Sequence, residues 1–159
     1  MVSPQSAAFE AVERALADQG VAPKTRWFDD GVATAQQAAD ALGVEIGAIA
    51  NSLIFTLDGD IILILASGAH RVDTEWLGER LGGTIARAKP AEVKDATGQV
   101  IGGVAPLGHP ATLRTIVDES LAAYPEIWAS AGHPHAVFAT TYVELVRITG
   151  GTPSPVVAG

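Results

Sequence analysis

The sequence predicts a mixed α/β (α+β) protein in which helices wrap a curved, largely antiparallel mixed sheet. Helical and strand-like segments alternate along the chain, as they do in α/β proteins. The turn Asp58-Gly59-Asp60 lies between two apolar runs, which indicates a hairpin and therefore antiparallel pairing. With 159 residues, of which 48% are hydrophobic, the chain can build one core, so we expect residues 1–159 to form a single domain.

The first part of the chain is expected to hold two helices on either side of a short strand. Ser3 can cap a helix whose apolar residues recur at helical spacing up to Gly20. An extended segment is predicted at Thr25–Phe28. The next helix begins at Thr34, because Thr-Ala-Gln-Gln fits a capping box, and it stops at Gly43.

The remaining elements follow from apolar runs bounded by Gly, Pro and Asp. The central hairpin pairs two strands that we expect to be buried, Asn51–Leu57 and Ile61–Leu65. The other predicted strands are Thr84–Ala88, Leu113–Val117, Glu126–Ala131 and His135–Ala139. The other predicted helices are a turn within 46–50, a helix from the cap Asp73 to Gly82, Pro90–Ala96 and Thr141–Thr149. We expect the Gly- and Pro-rich tail 150–159 to be irregular.

Composition excludes several classes of function. The net charge of −8 argues against a broad nucleic-acid surface, although a local basic patch is compatible with it. The absence of cysteine excludes disulfides and thiolate chemistry. The chain begins without a signal-like segment, and its longest apolar run, Ile61–Ala66, is of strand length, so we expect a cytoplasmic protein without a membrane span. The candidates for local phosphate contact are Lys24, Arg26, Arg71 and Arg114.

Common catalytic motifs are missing. The sequence has no nucleophile elbow, no phosphate-binding loop and no dinucleotide fingerprint. His133-Pro134-His135 offers two potential metal ligands, but no further ligand cluster accompanies them, so a surface loop is the favoured interpretation and we expect no metal or cofactor. His70 and His109 are isolated in the sequence, and we interpret both as structural.

The segment 98-GQVIGGVAPLGHP-110 has the most unusual backbone chemistry. Gly102-Gly103 interrupts an apolar run, and Pro106 then restricts the backbone again. Paired glycines in such a segment mark a bulge or a place where another group approaches the main chain closely. The residues alone leave both interpretations open.

The run 102-GGVAPLG-108 resembles the GG-x-x-P-x-G signature of the prolyl-tRNA editing family, the YbaK/ProX-like aminoacyl-tRNA deacylases. Further similar segments, in the same order, are 36-QQAADALGV-44, 49-IANSLIFTLDGDIILIL-65, 126-EIWASAGHPHAVF-138 and the helix containing Glu144-Leu145. The resemblance spans residues 25–150 or nearly so. It implies the YbaK/ProX-like fold, hydrolysis of the ester of a mischarged aminoacyl-tRNA in trans-editing, and as partners a mischarged tRNA, with tRNA-Pro favoured, and prolyl-tRNA synthetase.

The resemblance also implies a set of site residues. Backbone amides of Gly102 and Gly103 would stabilise charge on the ester carbonyl oxygen, and Pro106 would restrain their loop. Asn51 occupies the position at which the family carries its catalytic lysine. The implied substrate-binding residues are Ser52, Val104, Ala105, Pro106, Ser130, Gly132 and His133.

The departure at Asn51 leaves more than one function open. A charge-assisted hydrogen bond contributes about 1.5–3 kcal/mol and a neutral one about 1 kcal/mol. Loss of the charge would then slow the reaction roughly tenfold to a few hundredfold. We favour a working deacylase. The alternatives are a catalytically weak or inactive module that binds an aminoacyl-tRNA end or a synthetase, and a hydrolase of another small acyl ester.

Overall fold

The computed structural model describes residues 7–22, 24–99 and 102–158. Within these ranges the helices are α1 (Ala7–Asp18), α2 (Ala35–Leu42), α3 (Thr74–Leu81), α4 (Pro90–Thr97) and α5 (Tyr142–Thr149), with 3-10 turns at Ile46–Ala48 and Glu119–Ala123. The strands are β1 (Thr25–Trp27), β2 (Ile49–Leu57), β3 (Asp60–Ser67), β4 (Ile85–Arg87), β5 (Arg114–Asp118), β6 (Ile127–His133), β7 (Ala136–Thr140) and β8 (Thr152–Ser154). Each predicted helix and strand that falls in the described ranges is present, with its ends shifted by a few residues at most.

Local capping chemistry sets the helix ends as predicted. At α2 the Thr34 hydroxyl accepts from the Gln37 N–H at 3.1 Å, and the Gln37 side chain accepts from the Thr34 N–H at 3.2 Å. Gly43 ends this helix in the left-handed conformation at φ 69°. Asp73 caps α3 by accepting from the Trp76 N–H at 3.1 Å. The predicted cap at Ser3 lies outside the described residues.

The strands form one curled mixed sheet in the order β1-β7-β6-β2-β3-β5-β8, with β4 also paired to β2. Four pairings, β1–β7, β6–β7, β2–β3 and β2–β4, are antiparallel, and three, β2–β6, β3–β5 and β5–β8, are parallel. This arrangement confirms the predicted fold class. The central hairpin pairs Asn51 with Ala66 and Leu57 with Asp60.

Burial differs between the two hairpin strands. The segment 63–66 of β3 is completely buried, as predicted. In β2 the residues from Asn51 to Ile54 are only partly buried. The expectation of two buried strands therefore holds for β3 and only in part for β2, because the middle of β2 lines an open cleft.

The tail contradicts the prediction that residues 150–159 are irregular. Thr152–Ser154 forms β8, which pairs in parallel with the end of β5. Val156 is fully buried and its carbonyl accepts from the Asp73 N–H at 2.9 Å. The two prolines of Thr-Pro-Ser-Pro conceal the strand in the sequence, and they are tolerated because β8 is an edge strand.

Apolar side chains pack on both faces of the sheet. On one face, α1 and α5 cover β3, β6 and β7 through side chains such as Leu16, Leu145 and Phe138. On the other face α3 and β4 cover one half of the sheet, and α2 covers the other half. Ile49 belongs to the α2 cluster and Leu53 packs against the α3 cluster. Side chains alternate along a strand, so Asn51 falls between these two clusters.

Candidate active site

The residues around Asn51 line two adjoining cavities of about 470 Å³ and about 420 Å³. We refer to the two together as the cleft. The cavities share the residues Asn51, Ser52, Leu53, Gly102 and Val104. The middle of β2 and the glycine loop therefore form the border between them.

The larger cavity, here called the basic compartment, carries most of the polar side chains. They come from the segment after β3, from α3 and from β4, and they are His70, Arg71, Thr74 and Arg87. Two guanidinium groups in one cavity create a local positive field on a chain whose net charge is −8.

The smaller cavity, here called the apolar compartment, lies between α2 and β6. Beside the border residues, its apolar lining residues are Val32, Ala33, Ala35, Ala38, Ile49, Ala50, Trp128, Ala129 and Val137. Beyond the border residues, Thr34 and Ser130 supply its polar side chains. This lining suits a small uncharged group better than a charged one, because burying a charge without a partner is unfavourable.

Asn51 is positioned by the sheet rather than by its own contacts. Its Cα partner on β3 is Ala66, and both residues lie on the face that carries the cleft. The Asn51 side chain makes no hydrogen bond to any other part of the chain that the structure describes. Its amide is therefore available to a ligand as both donor and acceptor.

The two glycines of the loop are required by neighbouring protein segments. Gly102 has φ +90°, and an added Cβ would lie 3.0 Å from the Cβ of Ala33. An added Cβ at Gly103 would lie 3.1 Å from the Pro134 Cδ. Gly102 lines both compartments, whereas Gly103 is buried and lines neither. The sequence suggested that another group approaches the main chain of these glycines closely. In the structure, those groups are Ala33 and Pro134.

Side chains on either side of the loop hold it in place. The Ala105 N–H donates to Gln99 Oε1 at 2.8 Å, and Gln99 is 2% exposed. The His109 Nε2–H donates to the Ala105 carbonyl at 2.9 Å. Burial lowers the pKa of His109, against the opposing effect of this hydrogen bond. These contacts fix the path of the chain beyond Gly103.

Several predicted site residues lie at the cleft. Val104 lines both compartments, and Ser130 lines the apolar one while its hydroxyl accepts from the Gly132 N–H at 3.2 Å. Ser52 contributes to the border, but its Oγ is buried without a hydrogen-bond partner among the described residues. Strand alternation places the Ser52 side chain on the same face as Ala50, opposite Asn51.

Other predicted site residues lie elsewhere. Ala105 is in the core, and Pro106 lines a separate cavity beside α1 and α5. Gly132 packs against α1, where an added Cβ would meet Val12 and the Ala8 carbonyl oxygen at 2.8 and 2.9 Å. These three positions organise the fold around the loop rather than line the cleft.

His133 packs against aromatic neighbours outside the cleft. Its ring centroid is 5.0 Å from that of Trp27 and 5.6 Å from that of His135. Burial, and after it the neighbouring His135, lowers the pKa of His133. Among the described residues there is no group of three or more His, Cys, Asp or Glu that could hold a metal ion. Nor is any described helix long and apolar enough to traverse a bilayer.

The structure adds residues that the sequence interpretation missed. His70, interpreted as structural, lines the basic compartment, and its Nδ1 lies 2.8 Å from Asp118 Oδ2. Arg87 and Trp128 were not singled out, and each lines one compartment. Of the four basic candidates, Arg71 lies at the cleft, and the other three are absent from its lining. No local pattern could have revealed His70, because its partner lies 48 residues away.

Comparison with known proteins gives three consistent similarities. Residues 29–148 match the sequence profile of the aminoacyl-tRNA editing domain. The uncharacterized protein YwhH of Bacillus subtilis (strain 168) is 34% identical over 119 residues, which are 74% of this chain and 76% of that protein. The proline–tRNA ligase of Lysinibacillus sphaericus (strain C3-41) is 25% identical over 133 residues, which are 77% of this chain and 23% of the ligase.

The fold is shared with solved structures. A candidate trans-editing enzyme for prolyl-tRNA synthetase superposes with a TM-score of 0.90 and 37% identity, covering 97% of this chain and 99% of that one. A scaffold protein used for epitope backbone grafting superposes with a TM-score of 0.90 and 35% identity, covering 97% and 99%.

Proposed function

Because the chain belongs to the aminoacyl-tRNA editing domain family, we propose that it hydrolyses the ester bond of a mischarged aminoacyl-tRNA. The observation that carries this proposal is the cleft, in which Asn51 and Gly102 lie at the border between an apolar and a basic compartment. An aminoacylated tRNA end has the same two parts, a small side chain and a nucleotide with phosphate, joined by the ester.

The two compartments suggest how the substrate lies. The amino acid side chain would occupy the apolar compartment, near Trp128 and Ala38. The terminal nucleotide would occupy the basic compartment, where Arg71 and Arg87 can contact phosphate. Cavities of about 420 and about 470 Å³ are within the usual range for small-molecule sites. The ester would then lie at the border, beside Asn51.

The border offers donors to the reacting carbonyl group. In the hydrolysis, water attacks the carbonyl carbon, the acyl carbon–oxygen bond breaks, and the ribose oxygen gains a proton. None of the hydrogen bonds found among the described residues uses the N–H of Gly102 or Gly103. We propose that Gly102 presents its amide to the developing oxyanion, that Asn51 orients the water or the ribose hydroxyl, and that Gly103 holds the loop.

The similarity to the proline–tRNA ligase and to the candidate trans-editing enzyme supports a more specific proposal. We propose that the substrate is a mischarged tRNA-Pro, edited in trans, and that prolyl-tRNA synthetase is a partner. The reaction would then contribute to translation fidelity in the cytoplasm, where tRNA is charged.

The alternative function is a module that binds an aminoacyl-tRNA end or a synthetase without turning over an ester. One observation favours it. Asn51, at the border between the two compartments, supplies no charge. Both functions use the same cleft, so binding alone does not distinguish them.

The experiment measures deacylation of several mischarged tRNAs by the wild type and by Asn51→Lys, together with binding of each tRNA. A deacylase accelerates hydrolysis of at least one tRNA, and Asn51→Lys raises that rate about tenfold or more by restoring the charge. A binding module retains the tRNA without hydrolysis, and Asn51→Lys confers turnover. If neither protein binds or hydrolyses any aminoacyl-tRNA, the proposed substrate class is wrong.

A further inference from the structure

We propose that His70, oriented by the buried carboxylate of Asp118, is the general acid–base residue of the cleft. This inference rests on the proposed ester hydrolysis and assigns to it a proton carrier that Asn51 does not supply.

Asp118 ends β5 and is 1% exposed. Its Oδ2 accepts from the Ser67 N–H at 3.0 Å and lies 2.8 Å from His70 Nδ1. Its Oδ1 accepts from the Ser120 N–H at 3.0 Å. Two backbone donors therefore fix the carboxylate in one orientation, and the remaining contact is made by the imidazole of His70.

This contact selects the state of the imidazole. A carboxylate oxygen accepts, so the proton of a neutral His70 lies on Nδ1 and the lone pair lies on Nε2. No hydrogen bond to Nε2 is formed by any residue in the described ranges. The side chain is 30% exposed and lines the basic compartment, so Nε2 is the ring nitrogen available to water or ligand.

Sheet register connects His70 to Asn51. Leu65 pairs with Val117, so the following residues, Ala66 and Asp118, come side by side on neighbouring strands. Ala66 is also the Cα partner of Asn51. Adjacent strands are about 4.8 Å apart, so Asn51, Ala66 and Asp118 form a row across three strands on the face of the cleft. Ala66, in the middle of this row, is fully buried in the apolar cluster beneath α3.

The proposed step transfers one proton in each direction. His70 Nε2 takes a proton from the attacking water as its oxygen bonds to the carbonyl carbon. When the acyl carbon–oxygen bond breaks, the same proton passes from Nε2–H to the leaving ribose oxygen. The products are the free amino acid and a tRNA with its terminal hydroxyl restored. Asp118 stabilises the imidazolium between the two transfers, as a positioning residue.

The charged groups that face His70 come from three elements. Asp118 comes from β5, Arg71 follows His70 in the same segment, and Arg87 lies across the basic compartment on β4. One acidic and two basic groups therefore belong to the surroundings of the His70 ring.

The experiment compares deacylation by the wild type and His70→Gln from about pH 5 to about pH 8, the range in which histidine ordinarily titrates. The expected loss of kcat in His70→Gln is about 100-fold with little change in KM, and the decline of the wild-type rate at acidic pH disappears. The matched control is His135→Gln, because the Nδ1 of His135 donates to the Phe28 carbonyl at 2.9 Å and its side chain does not line the cleft. The control should retain the wild-type rate within about twofold.

A second readout does not depend on turnover. Nitrogen NMR of the labelled wild type should show His70 with a protonated Nδ1 and an unprotonated Nε2 at neutral pH. Asp118→Asn should change this tautomer balance if the variant folds. A His70→Gln rate and pH profile equal to those of the wild type, or a His70 protonated on Nε2, would overturn the inference while leaving the proposed function intact. A wild type inactive on all mischarged tRNAs would overturn both.

Discussion

The two compartments of the cleft differ in chemistry although they share one strand and one loop. The apolar compartment is enclosed by α2, β6 and β7, whose side chains there are aliphatic or aromatic except for Ser130. The basic compartment is enclosed by β4, α3 and the segment after β3, and it holds His70, Arg71 and Arg87. Under the proposed function, specificity for the acyl group and affinity for the nucleotide would therefore be located on different elements. Each can be altered without the other, and only the border should affect both.

The largest effect is expected at the border. Gly102→Val should lower deacylation at least about 100-fold, because the loop donor would be displaced from the reacting oxygen. The φ of +90° disfavours any L side chain, and the added Cβ would lie 3.0 Å from Ala33. The control is Gly20→Val, a glycine at φ +76° where no atom of the described residues lies within 4 Å of the added Cβ. Activity of Gly102→Val within about threefold of wild type would contradict the placement of the loop at the site.

A charged amino acid tests the apolar compartment. An aspartyl ester should be hydrolysed about 100-fold more slowly than an alanyl ester on the same tRNA, because the described lining of this compartment holds no cationic side chain to pair with a carboxylate. Initial rates of both substrates under identical conditions check this expectation. Equal rates would show that the acyl group does not enter the apolar compartment.

The double variant Arg71→Gln/Arg87→Gln tests the basic compartment. Its KM for aminoacyl-tRNA should rise about tenfold with little change in kcat. The salt dependence of binding should weaken by about 0.7 in log–log slope for each phosphate contact that is lost. Arg14→Gln, on the exposed surface of α1, is the matched control and should change neither quantity. An unchanged salt dependence in the double variant would show that the nucleotide does not bind in this compartment.

The contribution of Gln99 to holding the glycine loop can be tested by measuring the stability of the folded protein. Gln99→Leu should lower the free energy of unfolding by about 1–3 kcal/mol, because the buried Ala105 N–H would lose its acceptor. Gln36→Leu, which removes an exposed contact to Asp40, is the matched control. Denaturant unfolding measures both variants. Equal stability of Gln99→Leu and wild type would show that the loop is held by other contacts.

The smallest expected effect is on pH dependence. Burial lowers the pKa of His109 in the folded protein, so the unfolded state binds more protons. The stability that neutral His109 contributes is therefore present above the ordinary histidine pKa and is lost as the pH falls through the lowered value. In the variant His109→Gln, the free energy of unfolding should therefore fall less steeply as the pH is lowered. A steeper decline in the variant would contradict the sign.

The hairpin and the glycine loop show what the sequence could predict. The turn at 58–60 and the capping box at Thr34 are local signals, and the structure has both elements where they were expected. The structural reason for a glycine at position 102 could not be predicted from the neighbouring residues. Ala33, the residue that approaches Gly102, comes from a distant segment of the chain. The strand β8 was missed because proline usually breaks strands, and its edge position is known only from the fold.

Less of the candidate site than of the fold could be predicted from the sequence. Asn51 was found through a family resemblance, since an asparagine in an apolar strand carries no signal of its own. His70 and Asp118 are separated by 48 residues and meet because β3 and β5 are parallel neighbours. Such a pair depends on strand order, which is set by the packing of the whole sheet. No pattern within a single segment could specify it.

The proposed arrangement of the substrate across the two compartments can be tested by locating a bound analogue. A crystal structure of the protein with an adenosine that carries alanine through a 3′-amide, which resists hydrolysis, would locate both parts of the ligand. We expect the alanyl methyl group in the apolar compartment near Trp128, the amide beside Asn51 and Gly102, and the adenosine in the basic compartment with Arg71 and Arg87. An analogue bound in the reverse orientation, or outside the cleft, would show that the substrate does not span the two compartments as proposed.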